Sequence, residues 1–352
     1  MNFVSIQTAL LSCIGLLVIQ TAVIGRASLS QCLRVVSIFE ITWNLNYFLN
    51  IFINYNVAPE KSLVFDGYGA SFLYLYSAAF GIPYALLLPQ KINFENRKNE
   101  MNRVSMIFGL IGTCMIVATF AFASSLYLSY SNTGNNIKGL NILFALSASI
   151  IGTFVGSGLG GSGTIGYREI LVGSVSGGVM IASVAPIEDN IGIMIMCGLF
   201  AGLISGVYMR TLHKTINRNH IYDNFGLFGP FCINAFIGSF IIAPAVLDRY
   251  LLDPSTGSFN IAFLNHSINM NTVGFQLVYA ALSVAIGLFS GIFTGLIAKC
   301  DDDSYGLYAN SRFFKKDYSL YRPPMREDPQ EEEGGEGSAK NINELKPEDA
   351  AG

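Results

Sequence analysis

Glu40 is the only ionisable residue that lies clearly inside one of the long apolar stretches of this chain. Intramembrane charges are costly and usually mark pathways or relays. Six residues separate Glu40 from Arg34, about 9 Å of helical rise, which places the carboxyl in the inner half of its span. A structural hydrogen bond or a neutral, protonated acid is expected there in preference to a proton relay. All three histidines, His213, His220 and His266, are read as loop residues between apolar stretches, so none is expected in the membrane interior. The six cysteines show no CxxC or paired spacing and read as small core residues. Asp301, Asp302 and Asp303 are too short and too flexible a set for a hard-cation cage, and no metal or cofactor is expected. GSGLGG, Gly156 to Gly161, matches the dinucleotide-binding glycine pattern but ends an apolar helix with no strand before it, so it is not read as a nucleotide site. No nucleophile, base and orienting group can be assembled, and an enzyme is not expected.

The elements that carry these residues are membrane helices. Of 352 residues, 51% are hydrophobic and 13% charged, where a soluble domain carries about 25% charged residues. A hydrocarbon core of roughly 30 Å takes about 20 apolar residues of helix. Nine runs of that order, uncharged apart from Glu40, occur: 3–25, 35–57, 67–88, 104–130, 139–161, 170–186, 190–209, 225–246 and 273–298. With nine spans, alternate loops hold Arg26, Arg34, Lys91, Arg97, Lys98, Arg103, Arg168, Arg210, Lys214 and Arg218, against Lys61, Lys138 and Arg249 on the other side. The excess of basic residues predicts an outer N-terminus and an inner C-terminus. The sixth run is short, and a miscount there would reverse every later loop.

Glycine recurs every fourth residue at 152, 156 and 160, at 198, 202 and 206, and at 287, 291 and 295. Such stripes let helix backbones approach closely in lipid, inside one bundle or at an oligomer seam, with the first expected. After the last span the character changes. Of 24 acidic residues 13 lie in 300–352, leaving a body of net charge +3 and a tail of −6. Neither part has the basic footprint that nucleic acid requires. The tail is expected to be disordered alone. The domain division is thus a transmembrane domain, 1–299, and an inside-facing acidic tail, 300–352.

IYDNFGLFGPFCINAFIGS, Ile221 to Ser239, resembles the D-x-x-G-x-H-x-x-H-G-x-x-G signature of Rhesus glycoproteins and ammonium transporters, with Asp223, Gly226 and Ala235 in frame. The resemblance continues through GGVMIASVAP (Gly177 to Pro186), ALSASIIGTF (Ala145 to Phe154), FGLIGT (Phe108 to Thr113), DGYGASFLYLYSAAFGI (Asp66 to Ile82) and TAVIGR (Thr21 to Arg26). It covers essentially the whole membrane body in order. It implies an all-α integral membrane protein, a nine-helix bundle similar to helices three to eleven of the ammonium transporter fold. That fold is built from inverted repeats of five helices. Beginning at the family's third helix would make the chain an N-terminally truncated, degenerate member.

Members of the family conduct ammonia through a narrow apolar pore with two neighbouring histidines at its centre. By the resemblance, those positions are Tyr74 and Phe231, and an additional family histidine corresponds to Phe228. The phenylalanines capping the outer mouth correspond to Leu11 and Ala123, and Asp66 matches a structural aspartate at the start of the fifth helix. A phenol and a phenyl in place of two imidazoles remove the titratable nitrogens and add bulk where the lumen is tightest. The expectation is a non-transporting structural or accessory subunit of a larger membrane complex, with a residual ammonia or neutral-gas channel as the alternative. Lipid and other subunits are expected to contact Phe3 to Val57 and the tail, whose Phe313, Phe314, Lys315 and Lys316 suit an acidic partner or anionic headgroups. The family trimer is not expected, since its contacts involve the family's first helix. A short translocated N-terminus, one NxS sequon at Asn265 and no paired outside cysteines point to the mitochondrial inner membrane, with the plasma membrane as the alternative.

Overall fold

The computed structural model describes residues 3–23, 27, 29–53, 66, 69–88, 106–116, 135–160, 165–185, 190–218, 223, 226–241, 259–261, 266–268 and 270–299. The chain divides into Met1–Ala309 and Asn310–Gly352, and every described residue lies in the first unit. The acidic tail, Ala123 and His220 lie outside the described residues.

Each apolar run holds one helix. They are α1 (Phe3–Val23), α2 (Leu29–Phe52), α3 (Ala70–Leu87), α4 (Met106–Ile116), α5 (Asn135–Leu159), α6 (Tyr167–Ile181), α7 (Ile191–Val207, continued by Tyr208–Leu212 and His213–Arg218), α8 (Phe228–Ile241) and α9 (Met270–Lys299). Among the described residues, four stretches are long and apolar enough to cross a membrane: Ala70–Leu87, Leu140–Leu159, Ile191–Leu212 and Gly274–Lys299. The short sixth run forms a 15-residue helix that ends in turns through Ala185. Between α8 and α9, β1 (Phe259–Ile261) pairs antiparallel with β2 (His266–Ile268), Phe259 opposite Ile268. His266, read as a loop residue, therefore sits in a strand.

The glycine stripes lie inside the bundle. A Cβ on Gly152 or Gly156 of α5 would run into the carbonyl oxygens of Leu199 and Leu203 on α7, and one on Gly198, Gly202 or Gly206 would meet those of Ala145, Ser149 and Thr153 on α5. The two backbones touch, and only residues without side chains permit that. The third stripe does the same for α9 on α3. There a Cβ on Gly287 would lie 2.7 Å from the Tyr76 carbonyl oxygen, and one on Gly295 would lie 2.7 Å from the Leu87 side chain.

α2 is attached differently. Asn46 donates to the Phe72 carbonyl at 3.2 Å and accepts from Ser283 at 3.2 Å. The Tyr76 hydroxyl donates to Thr42 at 2.6 Å, and Gln31 donates to the Ala298 carbonyl at 3.2 Å. Polar side chains thus hold α2 against α3 and α9. Trp43 stacks on Tyr47 on the same helix, ring centroids 5.6 Å apart.

Candidate functional site

Two short acidic turns position the centre of the bundle. Before α3, Gly69 takes a left-handed conformation, φ 87°, which a Cβ would oppose. It frees the next backbone N–H groups to face Asp66, whose carboxylate accepts from Ala70 at 2.6 Å, Ser71 at 2.7 Å and Phe72 at 3.0 Å. The first turn of α3 then widens into a π-helix, with the N–H groups of both Leu73 and Tyr74 donating to the Gly69 carbonyl. Burial pushes the Asp66 carboxyl up to about 6, against the opposing pull of its backbone N–H donors.

The same construction recurs before α8. Gly226 has φ 84°, and Asp223 accepts from the N–H groups of Gly226 at 3.0 Å, Leu227 at 2.6 Å and Phe228 at 2.9 Å. A π-helical turn, Phe228–Ile233, follows. Tyr74 is eight residues after Asp66, and Phe231 is eight residues after Asp223. Their rings face one another with centroids 6.4 Å apart and planes 26° from parallel. Ser71 bonds Ser239 at 2.9 Å on one side of this pair, and Gly81 approaches Leu227 on the other. Rising numbers on α3 thus meet falling numbers on α8. The helices are antiparallel, and the two aspartates cap opposite ends of one inverted pair.

The centroid spacing lies within the range of packed aromatic pairs. Tyr74 is buried and Phe231 half-buried. Neither ring carries a titratable nitrogen. Phe228 turns away from that pair and packs on Tyr208 with centroids 6.0 Å apart. Leu11 is half-buried and packs against the hydrophobic core.

A polar cluster that the sequence did not reveal surrounds Asp223. Tyr208 donates its hydroxyl to the carboxylate at 2.7 Å, and His213 bonds the Asp223 carbonyl oxygen through Nε2. Burial lowers the imidazole below its ordinary value, with Asp223 opposing. His213, read as a loop residue, is therefore buried in the continuation of α7. Arg210 and Glu169 form an ion pair at 3.3 Å beside it. The signal that was available is the duplication itself: D-x-x-G followed five residues later by an aromatic, at Asp66–Tyr74 and again at Asp223–Phe231.

The ammonium transporter family model matches residues 3–303. The chain belongs to the ammonium transporter family. It is 28% identical to Rhesus-like glycoprotein B of Dictyostelium discoideum over 335 residues, covering 91% of this chain and 52% of that protein. It is 24% identical to the human blood group Rh(D) polypeptide over 302 residues, covering 83% and 66%. It thus spans about half the length of the Rhesus-like glycoprotein it matches. Its fold is similar to that of Nitrosomonas europaea Rh50, with a TM-score of 0.67, 18% identity and coverage of 89% of this chain and 74% of that one. Candida albicans Mep2 gives a TM-score of 0.58 at 12% identity, covering 82% and 61%. The chain is an integral membrane protein of a transporter family.

Proposed function

We propose that this ammonium transporter family member does not transport ammonium and serves as an accessory subunit of a larger membrane complex, a respiratory assembly of the mitochondrial inner membrane, with the plasma membrane as the alternative location. The observation that carries the reading is the Tyr74–Phe231 pair. Two aromatic rings meet on the axis of the inverted repeat, 6.4 Å between centroids, where a conducting relative would need groups that exchange protons. A phenol with an unperturbed pKa of about 10 is a poor relay at neutral pH.

The test is reconstitution into liposomes with ammonia and methylammonium as permeants. Flux equal to that of empty vesicles is expected. Saturable flux abolished by Tyr74→Ala refutes the reading. Native gels of mitochondrial and plasma-membrane fractions test the second half of it, since an accessory subunit migrates at fixed stoichiometry with a large assembly and a free carrier does not. A residual channel for ammonia or a neutral gas is the competing reading. The buried Ser77 hydroxyl and the Gln276 side-chain oxygen, neither with a hydrogen-bond partner among the described residues, favour it as polar stations for a small permeant.

A further inference from the structure

The two faces of α2 differ in chemistry. Its inward face is consumed by the bonds to α3 and α9 described above. Its outward face carries Leu33, Ile41 and Phe48, all more than half exposed, and among them Ser37, Glu40 and Asn44. At 100° per residue these three fall within about 60° of arc. Ser37 and Asn44 are exposed and Glu40 is half-exposed. Two of the three are satisfied within the helix: Ser37 donates to the Leu33 carbonyl at 3.1 Å, and the Asn44 amide donates to the Glu40 carbonyl at 2.6 Å.

The Glu40 carboxylate is not satisfied. Among the described residues no hydrogen-bond donor or cation pairs with it. Tyr76 is close enough to feel its charge, but that hydroxyl donates to Thr42. Arg34 lies about 120° around the helix and donates to Ser30 at 3.4 Å. Glu40 is the twelfth residue of a 24-residue helix, near the middle of α2 along its length and about 9 Å of rise beyond Arg34. α9 shows what a lipid-facing surface looks like in this protein: every exposed residue from Gly274 to Leu296 is apolar, Phe289 being 78% exposed.

We infer that the Ser37–Glu40–Asn44 face of α2 docks a transmembrane helix of a different polypeptide, one that sets a cationic side chain against Glu40 and a polar side chain against Asn44. The inference rests on the accessory-subunit reading and adds which helix makes the contact and what chemistry the partner brings. An intramembrane carboxylate calls for a charged or strongly donating neighbour, and this chain supplies none among its described residues. The partner is a segment of about 20 apolar residues interrupted by one Lys or Arg near mid-depth.

A photo-reactive phenylalanine analogue at Ser37 or Asn44 of the full chain, irradiated in native membranes and mapped by mass spectrometry, tests this, with the same probe at Phe289 as the lipid-face control. Adducts from Ser37 and Asn44 are expected on one apolar peptide of another protein that carries a basic residue, and none from Phe289. Glu40→Leu should cut the adduct about ten-fold, Glu40→Gln less, and replacing the mapped basic residue by Leu should match Glu40→Leu. Unchanged membrane insertion and thermal stability of Glu40→Leu shows that the chain still folds. An adduct insensitive to Glu40→Leu, an adduct on a peptide of this same chain, or adducts on lipid alone each overturn the inference. Native gels of the same samples separate the two failures. If the unsubstituted chain stays in its assembly while the adduct ignores Glu40, only the α2 contact falls. If the unsubstituted chain migrates alone, the accessory reading falls and takes the contact with it.

Discussion

Replacing Asp223 by Ala should destabilise the bundle more than any other single polar truncation at its centre. The carboxylate accepts three backbone N–H groups and the Tyr208 hydroxyl, all within 3.0 Å. Hydrogen bonds to a charged group contribute about 1.5–3 kcal/mol each, and a helix cap about 1 kcal/mol. Four such bonds are not additive, because water can reach the freed N–H groups once the turn loosens. A net loss of about 3–5 kcal/mol is the working figure, since the Tyr208 hydroxyl, 1% exposed as a residue, would be left buried without its acceptor. Asp223→Asn keeps one accepting oxygen and should lose about half as much. The assay is loss of monodispersity on heating in detergent, read by size-exclusion chromatography. At roughly 2–4 °C per kcal/mol for a chain of this size, Asp223→Ala should lower the midpoint by about 10 °C and Asp223→Asn by about 5 °C. Midpoints within 1–2 °C of the unsubstituted protein would refute the claim that this carboxylate holds the start of α8.

The other predictions come from different parts of the molecule. Gly202→Val places a side chain against the α5 backbone at Ser149 and should abolish folded yield, whereas Gly112→Ala and Gly274→Ala, where a Cβ meets nothing within 4 Å, should leave expression and thermal midpoint unchanged. Asp66, pushed up from 3.8 to about 6, binds its proton more tightly folded than unfolded. Its contribution to stability is therefore full below about pH 4 and is lost as pH rises through 6. Asp66→Asn should flatten that part of a midpoint-versus-pH curve, and an unaltered slope would contradict the assignment. Deleting residues 310–352 should weaken incorporation into the larger assembly while leaving membrane insertion intact, since the topology signals all lie upstream. Normal stoichiometry of the truncated chain on a native gel would make the tail a passive appendage.

The helices were legible because lipid imposes a simple rule: a spanning segment must be long, apolar and internally bonded. Each apolar run therefore returned as a helix, and the glycines at every fourth position returned as backbone contacts between α5 and α7 and between α9 and α3. α2 was harder to delimit. Its apolar run starts at Val35 but the helix starts at Leu29, because Gln31 and Arg34 can enter a helix whose inner end is polar. The family motifs led to Asp66, Asp223, Tyr74 and Phe231, all found at the two turns or on the axis between them. The Asp223–Tyr208–His213 cluster stayed hidden because it joins residues brought together by the π-helical extension of α7, and neither hydropathy nor motif spacing encodes such a widening. The polarity of Glu40 was plain in the sequence, but which way it faced was not: that depends on where α2 is rotated by its bonds to Phe72 and Ala298.

The antiparallel pairing of α3 with α8, each entered through an aspartate and a left-handed glycine, means that the centre of the bundle looks much the same from either side of the membrane. Packing alone then gives the chain little reason to prefer one insertion over its mirror. The decision falls to the basic residues between and at the ends of the helices, which the nine-span reading divides ten to three. In a chain built this way, orientation and stability are separable properties. Charges moved between loops could turn the protein over with its interior intact, and the outward face of α2, Glu40 included, would keep its distance from the bilayer midplane while every loop changed compartment.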